Sequence, residues 1–269
     1  MIHSARFELK YLIRESQAVA IADFVASYLR PSQHNGAGSA RGHPVVSLYL
    51  DSPDFFFFHQ ADNGLKNRIK LRIRFYDNEW QRPAFLEIKR RDSEVICKER
   101  ALISREEVRR ILSQGWPMQP YFAECDRLTH DNDRHCVSKD FWEIANRIQA
   151  RGMIYVSYFR EIYKSAEDEE LHVTFDRQIR GSRYDGTGKL EVPSRGWPPL
   201  LPPYLDPFPK DGVILEMKFN NRAPRWMLEV VKIFNLHRIP VCKYCACVNA
   251  QQLQWGASVL PAREENFVL

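Results

Sequence analysis

The sequence predicts an α+β fold in which an antiparallel β-barrel encloses a polar, cationic lumen and helices pack outside. Two observations lead to this prediction. Short segments alternate apolar and charged residues with a period of two, which is typical of strands that have one buried face. The charged faces carry mainly Arg and Lys, whereas the opposite faces are apolar and need helices to cover them. Several amphipathic helices are available for this purpose.

The alternation and the turn signals between segments give the strands in order. The predicted strands are residues 6–13, 45–51, 68–76, 84–91, 94–103, 153–164, 171–178, 213–219 and, as a last strand or strand–helix junction, 241–246. Four segments have helical spacing instead, and each begins with a recognisable signal. These are 17–29 after Ser16, a helix opened by the Ser104–Glu107 capping box and ending near Gly115, 139–150 after Ser138, and 224–236 from Pro224.

The strands continue along the chain without a convincing linker, so we expect one domain over residues 1–269. Three stretches lack a pattern: a Gly/Ser loop at 31–43, a proline-rich connection at 192–212 and a tail at 253–269. No apolar run reaches membrane-spanning length and no secretion signal is recognisable, which predicts a cytoplasmic protein.

The clearest charged row is the segment Arg68 to Phe75. Because side chains alternate along a strand, Arg68, Lys70, Arg72 and Arg74 share one face, with no acid between them. Such a row repels itself and needs an anionic partner. The net charge of the whole chain is only +5, which argues against a nucleic-acid partner and makes the placement of the cations the informative feature.

In the other predicted strands, alternate residues again place charged side chains together on one face. The residues placed on these faces are Glu8, Lys10, Glu87, Lys89, Lys98, Arg100, Tyr158, Arg160, Asp176, Glu216, Lys218 and, between Cys242 and Tyr244, Lys243. For any single strand, a solvated polar face is a sufficient explanation. The repetition over many strands instead predicts a cavity for phosphate groups, since guanidinium forks and ammonium groups both suit phosphate oxygens.

The sparse carboxylates on these faces are candidate metal ligands. Mg²⁺ and Mn²⁺ take oxygen ligands, often one or two carboxylates together with substrate phosphates. Glu216 is the first candidate because cations surround it, and a salt bridge is its alternative role. Glu8, Glu87 and Asp176 are weaker candidates. The Cys242, Cys245 and Cys247 cluster could hold zinc only with a fourth ligand, so free thiols are expected.

Several other site types find no support in the sequence. There is no Walker loop and no dinucleotide-binding glycine motif, and nothing places Ser, His and Asp as a triad. The phenylalanine run at 55–58 is expected in the core.

A series of segments in order resembles the VTC domain, the catalytic domain of the vacuolar transporter chaperone complex, in the triphosphate tunnel metalloenzyme (CYTH-like) superfamily. The segments are FELKYLI, SLYLDSPD, KLRIRFY, FLEIKRR, KER, YVSYFRE, VTFDR, ILEMKF and CKY. The resemblance spans roughly residues 6–248. It implies an antiparallel barrel around a cationic tunnel and synthesis of polyphosphate from ATP with Mn²⁺ or Mg²⁺.

The resemblance also implies roles for individual residues. The phosphate-holding residues would be Lys10, Arg72, Arg74, Lys89, Lys98, Arg160, Lys218 and Lys243. Tyr158 would add a phenolic donor, and Glu216 would bind the metal. The chain departs from the family in carrying Cys242 where a Ser is frequent, and the ExExK signature is reduced to Glu8-Leu9-Lys10. A membrane-protein partner, if there is one, is not encoded in this sequence.

Three functions therefore remain open at the level of sequence. The first is a polyphosphate polymerase that uses ATP, with Lys10, Arg72, Arg74, Lys89, Arg160 and Lys243 as its catalytic residues. Lys98, Arg100, Tyr158, Lys218, Glu8 and Glu87 would bind the substrate. The second is a metal-dependent hydrolase of tripolyphosphate or nucleoside triphosphates, and the third is a non-catalytic polyphosphate-binding module.

Overall fold

A computed structural model of the chain describes residues 6–33, 42–93, 95–117, 132–168, 170–188, 190 and 212–251. Its strands are β1 Arg6–Ile13, β2 Arg30–Pro31, β3 His43–Asp51, β4 Arg68–Phe75, β5 Ala84–Asp92, β6 Val95–Ile103, β7 Arg151–Lys164, β8 His172–Arg183 and β9 Val213–Asn220. Its helices are α1 Glu15–Val25, α2 Phe56–Asp62, α3 Arg105–Gln114, α4 Asn132–Arg147, α5 Arg225–Ile233 and α6 Lys243–Ala250.

The long strands form one antiparallel sheet in the order β1-β9-β8-β7-β3-β4-β5-β6, and the two-residue β2 pairs with β7. The sheet is strongly curled. Its two end strands, β1 and β6, contact each other although no backbone pairing joins them. The predicted α+β fold class, an antiparallel sheet curled around a polar interior with helices outside, is confirmed.

Helices cover the outer, apolar face of the sheet in two groups. The first group is α1 and α5, which pack on β1, β8 and β9. In α1, the residues Ala18, Ile21, Ala22 and Val25 recur at helical spacing and are all buried there. The second group is α3 and α4, which bury residues such as Val108 and Phe141 against β4, β5 and β6. Both groups exclude water from the back of the sheet and leave its inner face to polar residues.

One end of the inner face is closed by a third apolar cluster, which α2 and α6 share with the sheet. Tyr244 of α6 stacks on Tyr49 of β3, with ring centroids 4.9 Å apart, and its hydroxyl donates to Asp51 at 2.6 Å. Asp51 also accepts the backbone N–H groups of Phe57 and Phe58 at 2.8 Å each. This buried carboxyl group therefore joins the start of α2 to α6.

The sequence analysis did not predict the helix α2, and it did not predict a helix over residues 243–250. The phenylalanine run has no helical spacing, and the side chain that caps α2 lies several residues upstream, so no local signal marks it. Residues 241–246 were predicted as a strand or a strand–helix junction, and the helix begins at Lys243.

Two predicted caps are wrong, and two other helix signals are confirmed. Arg14 rather than Ser16 precedes α1. Ser138 lies inside α4, which begins at Asn132, six residues before Ser138. Ser104, by contrast, caps α3 by accepting the N–H of Glu107 at 3.1 Å, and α3 ends at Gly115 as expected.

The proline-rich connection and the tail lie outside the described residues except for residue 212, and so does most of the loop at 31–43. Among the helices that the structure describes, none combines the length and the apolar character needed to cross a membrane.

Candidate functional site

The inner face of the sheet gathers the charged side chains that the sequence placed on separate strands. Alternation in β1, β4, β5, β6, β7, β8 and β9, with the start of α6, directs them into one cavity. Its cations are Lys10, Lys70, Arg72, Arg74, Lys89, Lys98, Arg100, Arg160, Lys218 and Lys243, and its carboxylates are Glu8, Glu87, Asp176 and Glu216. Every residue predicted for the site lies in this set or, as Tyr158 does, directly beside it.

One group of cations surrounds Glu87, whose side chain is fully buried. Its carboxylate accepts hydrogen bonds from the Nε of Arg72 at 2.6 Å and from the Nε of Arg100 at 2.8 Å. The Nη2 of Arg100, which donates to the hydroxyl of Tyr76, lies 2.6 Å from the same carboxylate. Lys98 Nζ lies 2.9 Å away, and Arg74 Nη1 lies 3.6 Å away. Burial acts to raise the pKa of Glu87, but these cations outweigh it and hold the pKa far below its ordinary value. Glu87 therefore stays ionised and fixes the cations in position.

A second group surrounds Glu216. One of its oxygens lies 2.9 Å from Lys243 Nζ and 3.5 Å from Lys10 Nζ. The other lies 2.9 Å from Lys218 Nζ and 3.2 Å from Arg160 Nη2. Burial acts to raise the pKa of Glu216, but Lys218, Lys243, Lys10 and Arg160 together keep the pKa well below its ordinary value.

Asp176 and Glu8 flank Glu216 and share its cations. Arg160 forks onto Asp176 through Nε at 2.5 Å and Nη2 at 2.6 Å, and Lys243 Nζ is 2.7 Å from the same carboxylate. Glu8 lies 3.5 Å from Lys10 and 2.7 Å from Lys89. The pKa of Lys243 is raised, because Asp176 and Glu216 outweigh the effect of its burial. Lys243 therefore remains charged throughout the physiological range.

Tyr158 connects the two groups. Its hydroxyl accepts the Nη2 of Arg74 at 3.1 Å, and both Arg160 and Lys243 lie 5.0 Å from the centre of its ring. Burial acts to raise the pKa of Tyr158, yet Arg160 and Arg74 lower it overall. The phenol is thus part of the cationic surface.

Two lysines in the cavity behave differently from the others. Burial lowers the pKa of Lys89 to about 7, and Lys10 adds to this effect, although Glu8 opposes it. Burial likewise lowers the pKa of Lys98 to about 7, against the attraction of Glu87. The charge of the cavity therefore changes near neutral pH.

Sequence reasoning placed some contributors on the inner face without assigning them a role, and it missed others. Lys70 was in the first charged row, and its ammonium group contacts the Sγ of Cys242 at 2.9 Å. Ser47 and Tyr49 of β3 accept hydrogen bonds from Arg74 and Arg72 at 3.2 and 3.0 Å. Because side chains alternate along β3, Ser47 and Tyr49 lie on the same face as Asp51, and this alternation could have identified them. Arg68, in contrast, lies at the exposed end of β4 and donates to the carbonyl of Leu65.

The donor set fits a hard divalent cation that shares its coordination with phosphate. Glu216 offers carboxylate oxygens, which Mg²⁺ and Mn²⁺ prefer. Within the described residues, no three His, Cys, Asp or Glu side chains converge as a complete ligand set. A metal here would therefore be held by Glu216 and by oxygens of the substrate, once phosphates draw the lysines and arginines away from the carboxylate.

The arrangement can hold a long polyanion and neutralise charge that develops on phosphoryl oxygens. The polar groups that line it are charged side chains and hydroxyls held by them. Among the described cysteines, Cys242 contacts the ammonium group of Lys70 through its Sγ. Such a cavity is suited to positioning and electrostatic stabilisation rather than to covalent catalysis.

The family model of the VTC domain matches residues 5–251 of the chain. No curated protein matches. Among solved structures, a "putative adenylate cyclase" of Bacillus halodurans is 14% identical with a TM-score of 0.46, and the match covers 89% of this chain and 94% of that one. One from Vibrio parahaemolyticus is 12% identical with a TM-score of 0.42, covering 88% and 93%. A protein of Pyrococcus horikoshii is 12% identical with a TM-score of 0.41, covering 92% and 99%.

Proposed function

The chain belongs to the VTC-domain family of the triphosphate tunnel metalloenzyme superfamily, and on this premise we propose that it is a polyphosphate polymerase. The reaction would transfer the γ-phosphoryl group of ATP to the end of a growing polyphosphate chain and release ADP. The partners expected from the sequence, which are ATP, inorganic polyphosphate and a membrane protein, are part of the same proposal. ATP as the donor fits a cytoplasmic location, and the membrane protein would accept the product.

The single observation that carries this proposal is the convergence on a shared cavity of cations from six strands (β1, β4, β5, β6, β7 and β9) and from the helix α6. Triphosphate and polyphosphate carry about one charge for each phosphoryl group, so they need a row of cations rather than one binding point. Arginine forks and lysine ammonium groups provide this along the inner face. The carboxylates between them keep the cations apart and fixed while no polyanion is bound.

Two adjacent groups of cations suit a reaction between two phosphate-containing molecules. In this proposal, Arg72, Arg74, Lys98 and Arg100 around Glu87 hold one substrate, and Lys10, Arg160, Lys218 and Lys243 around Glu216 hold the other. Tyr158 and Lys89 lie where the groups meet. Phosphoryl transfer depends on such alignment and on neutralising the equatorial oxygens, because a polyphosphate end is already a nucleophile.

A divalent metal at this site would supply positive charge that stabilises the negative charge of the transferred group. Glu216 is the residue proposed to hold it. Lys243, Lys218 and Arg160 would then leave the carboxylate and bind the phosphates, so the protein's own cations orient the donor and the acceptor.

The test is incubation of the protein with ATP and Mn²⁺, with products followed on a polyacrylamide gel and by phosphorus NMR. We expect chains that lengthen with time and ADP in proportion. The Glu216→Gln variant should lose its dependence on Mn²⁺ and most of its turnover. Glu229→Gln, a change to a half-exposed carboxylate of α5 that pairs only with Arg225 in the described structure, is the matched control and should behave as wild type.

Two other outcomes would contradict the proposal. Free phosphate with ADP and without any chain would identify a hydrolase, in which water replaces the polyphosphate acceptor. Tight, salt-sensitive binding of polyphosphate without turnover of ATP would identify a binding module.

A further inference from the structure

Cys242 and Cys245 form a close pair of thiols at the start of α6. Cys242 is the residue before the helix, and its Sγ accepts the backbone N–H of Cys245 at 3.3 Å. The first turn of the helix therefore folds Cys245 back toward Cys242, since the N-cap residue and the third helical residue face each other. The spacing of two residues between the cysteines is the one that dithiol redox motifs use.

The surroundings of Cys242 favour its ionised form. The hydrogen bond from the Cys245 thiol is the main cause of a pKa far below the ordinary value, and it overcomes the effect of burial. Lys70, whose Nζ lies 2.9 Å from the sulfur, adds to the shift. For Cys245 the same hydrogen bond, together with burial, raises the pKa. The pair thus consists of a thiolate and a neighbouring thiol, as nucleophilic and resolving cysteines do.

Accessibility separates these thiols from the others in the described part of the chain. Cys242 is partly exposed, whereas Cys245 and Cys247 are buried. Cys97 is exposed, but burial of its sulfur and the nearby Glu99 raise its pKa. Cys242 is therefore the described cysteine that combines access with thiolate character.

We propose that Cys242 and Cys245 are a redox-active pair that a peroxide oxidises to a reversible disulfide, and that this oxidation releases Lys70 to bind polyanion in the cavity. In the first step the Cys242 thiolate attacks one oxygen of the peroxide and the O–O bond breaks. For hydrogen peroxide, this gives the sulfenic acid of Cys242 and hydroxide, which takes up a proton to become water.

In the second step the sulfur of Cys245 attacks the sulfur of Cys242. The S–O bond breaks, and the oxygen leaves as water with the proton of the Cys245 thiol. The two thiols supply the two electrons that reduce the peroxide, and an external dithiol reverses the reaction by exchange.

The link to the cavity is the charge on Cys242. Lys70 lies on β4 with the same side-chain parity as Arg72, and it pairs across the sheet with Lys89 of β5. While Cys242 is a thiolate, it neutralises the Lys70 ammonium group. A disulfide carries no charge, so Lys70 loses this partner and becomes available to phosphate. This second part rests on the proposed function, because it assumes that the cavity binds polyphosphate.

The site itself is tested without any assay of activity. Reduced protein is treated with hydrogen peroxide, remaining thiols are blocked with N-ethylmaleimide, and the protein is digested with trypsin without reduction. Trypsin cuts after Lys243, between the two cysteines, so the disulfide appears as two joined peptides that separate on reduction. The joined pair should persist in Cys247→Ser and disappear in Cys245→Ser. A pair that disappears in Cys247→Ser instead, or Cys97 reacting before Cys242, would overturn the proposal.

The role of Lys70 is tested by calorimetric binding of tripolyphosphate to the reduced and oxidised protein. Oxidation should tighten binding about tenfold in the wild type, as expected for one gained charged contact. The gain should be absent in Lys70→Met and present in Lys66→Met, which changes an exposed lysine just before β4. Equal binding in both redox states of the wild type would refute the release of Lys70. If the disulfide forms but the protein does not turn over ATP, the redox pair is supported and only the proposed polymerase function is contradicted.

Discussion

Lys89 of β5 and Glu8 of β1 form an ion pair of 2.7 Å, although their strands are not neighbours in the sheet. The pair spans the gap between the two ends of the sheet and closes the cavity where backbone pairing does not. Glu8 also lies 3.5 Å from Lys10 on its own strand. The curl of the sheet and the charge of the cavity therefore depend on the same side chains.

The first prediction concerns pH, because the pKa values of Lys89 and Lys98 are lowered to about 7. Above that pH both lysines lose their charge in the absence of ligand. A bound polyphosphate favours the charged form, so binding must take up protons near pH 7 to 8 and weaken as the pH rises. We expect this proton uptake in calorimetry with tripolyphosphate in buffers of different ionisation heat.

The ligand also titrates in this range, so variants are needed to isolate the protein. Relative to wild type, the double variant Lys89→Met/Lys98→Met should take up fewer protons and show a flatter dependence of Kd on pH. Lys232→Met, at an exposed position of α5, should match the wild type. Identical proton uptake in wild type and the double variant would exclude these lysines as the titrating groups.

The second prediction concerns Glu87, which is fully buried and holds four cations. The Glu87→Gln variant leaves those cations without a counter-charge, so the free energy of unfolding should fall by about 3–5 kcal/mol. Tripolyphosphate can replace the missing charge, and it should therefore raise the melting temperature more in the variant than in the wild type.

Urea unfolding measures the change in the free energy of unfolding, and thermal unfolding with and without tripolyphosphate measures the shift in melting temperature. The matched control is Glu79→Gln, since Glu79 is exposed and pairs with Arg82, and it should change stability by less than about 1 kcal/mol. A Glu87→Gln variant as stable as wild type would show that the carboxylate does not organise the cations.

Much of the fold follows from the sequence, because strict alternation marks a strand with two different faces. The segment Arg68 to Phe75 is the clearest case, and its observed bounds are β4 itself. The caps were less predictable. Ser138 has the right residue type for a cap but lies inside α4, and α2 is capped by Asp51 from another element. Such contacts depend on tertiary structure, which local patterns do not contain.

The candidate site was likewise predictable in part: local patterns identified its residues, but not their contacts across the fold. Parity on each strand placed Lys10, Arg160 and Glu216 on inner faces, and the pairing of β1, β9, β8 and β7 in the sheet brings them together. Parity does not give the order of the strands, so the ion pair between Glu8 and Lys89 could not be foreseen. Lys243 is the first residue of the buried helix α6 rather than a strand residue, so strand parity could not show that it reaches Glu216.

The third prediction concerns Tyr158, whose hydroxyl accepts a hydrogen bond from Arg74 at 3.1 Å. Tyr158→Phe keeps the ring beneath Arg160 and Lys243 but removes this bond. Arg74 then has one fixed partner fewer, and we expect kcat for polyphosphate synthesis to fall about tenfold with little change in stability. Tyr158→Leu also removes the ring and should be more severe. Tyr28→Phe, at an exposed position, is the control, and equal kcat in all three variants would contradict this role.

The fourth prediction concerns the two arginines of β4 that face Glu87. Arg74 is 5% exposed, and its guanidinium is held by Ser47, Tyr158 and Glu87. A charge held in this way costs little reorganisation when negative charge develops on a phosphoryl group, so Arg72→Ala and Arg74→Ala should each lower kcat by about 10²–10³.

A lysine at position 74 distinguishes the effect of the charge from that of the guanidinium geometry. Arg74→Lys keeps the charge but loses the planar fork, so its kcat should lie between those of wild type and Arg74→Ala. Arg225→Ala, which removes an arginine of α5 that is 93% exposed, should leave kcat unchanged. Circular dichroism of each variant checks that the sheet is retained, since Glu87 loses a partner in both alanine variants. Near-normal turnover in folded Arg72→Ala and Arg74→Ala would mean that the charges around Glu87 support the fold and take no part in phosphoryl transfer.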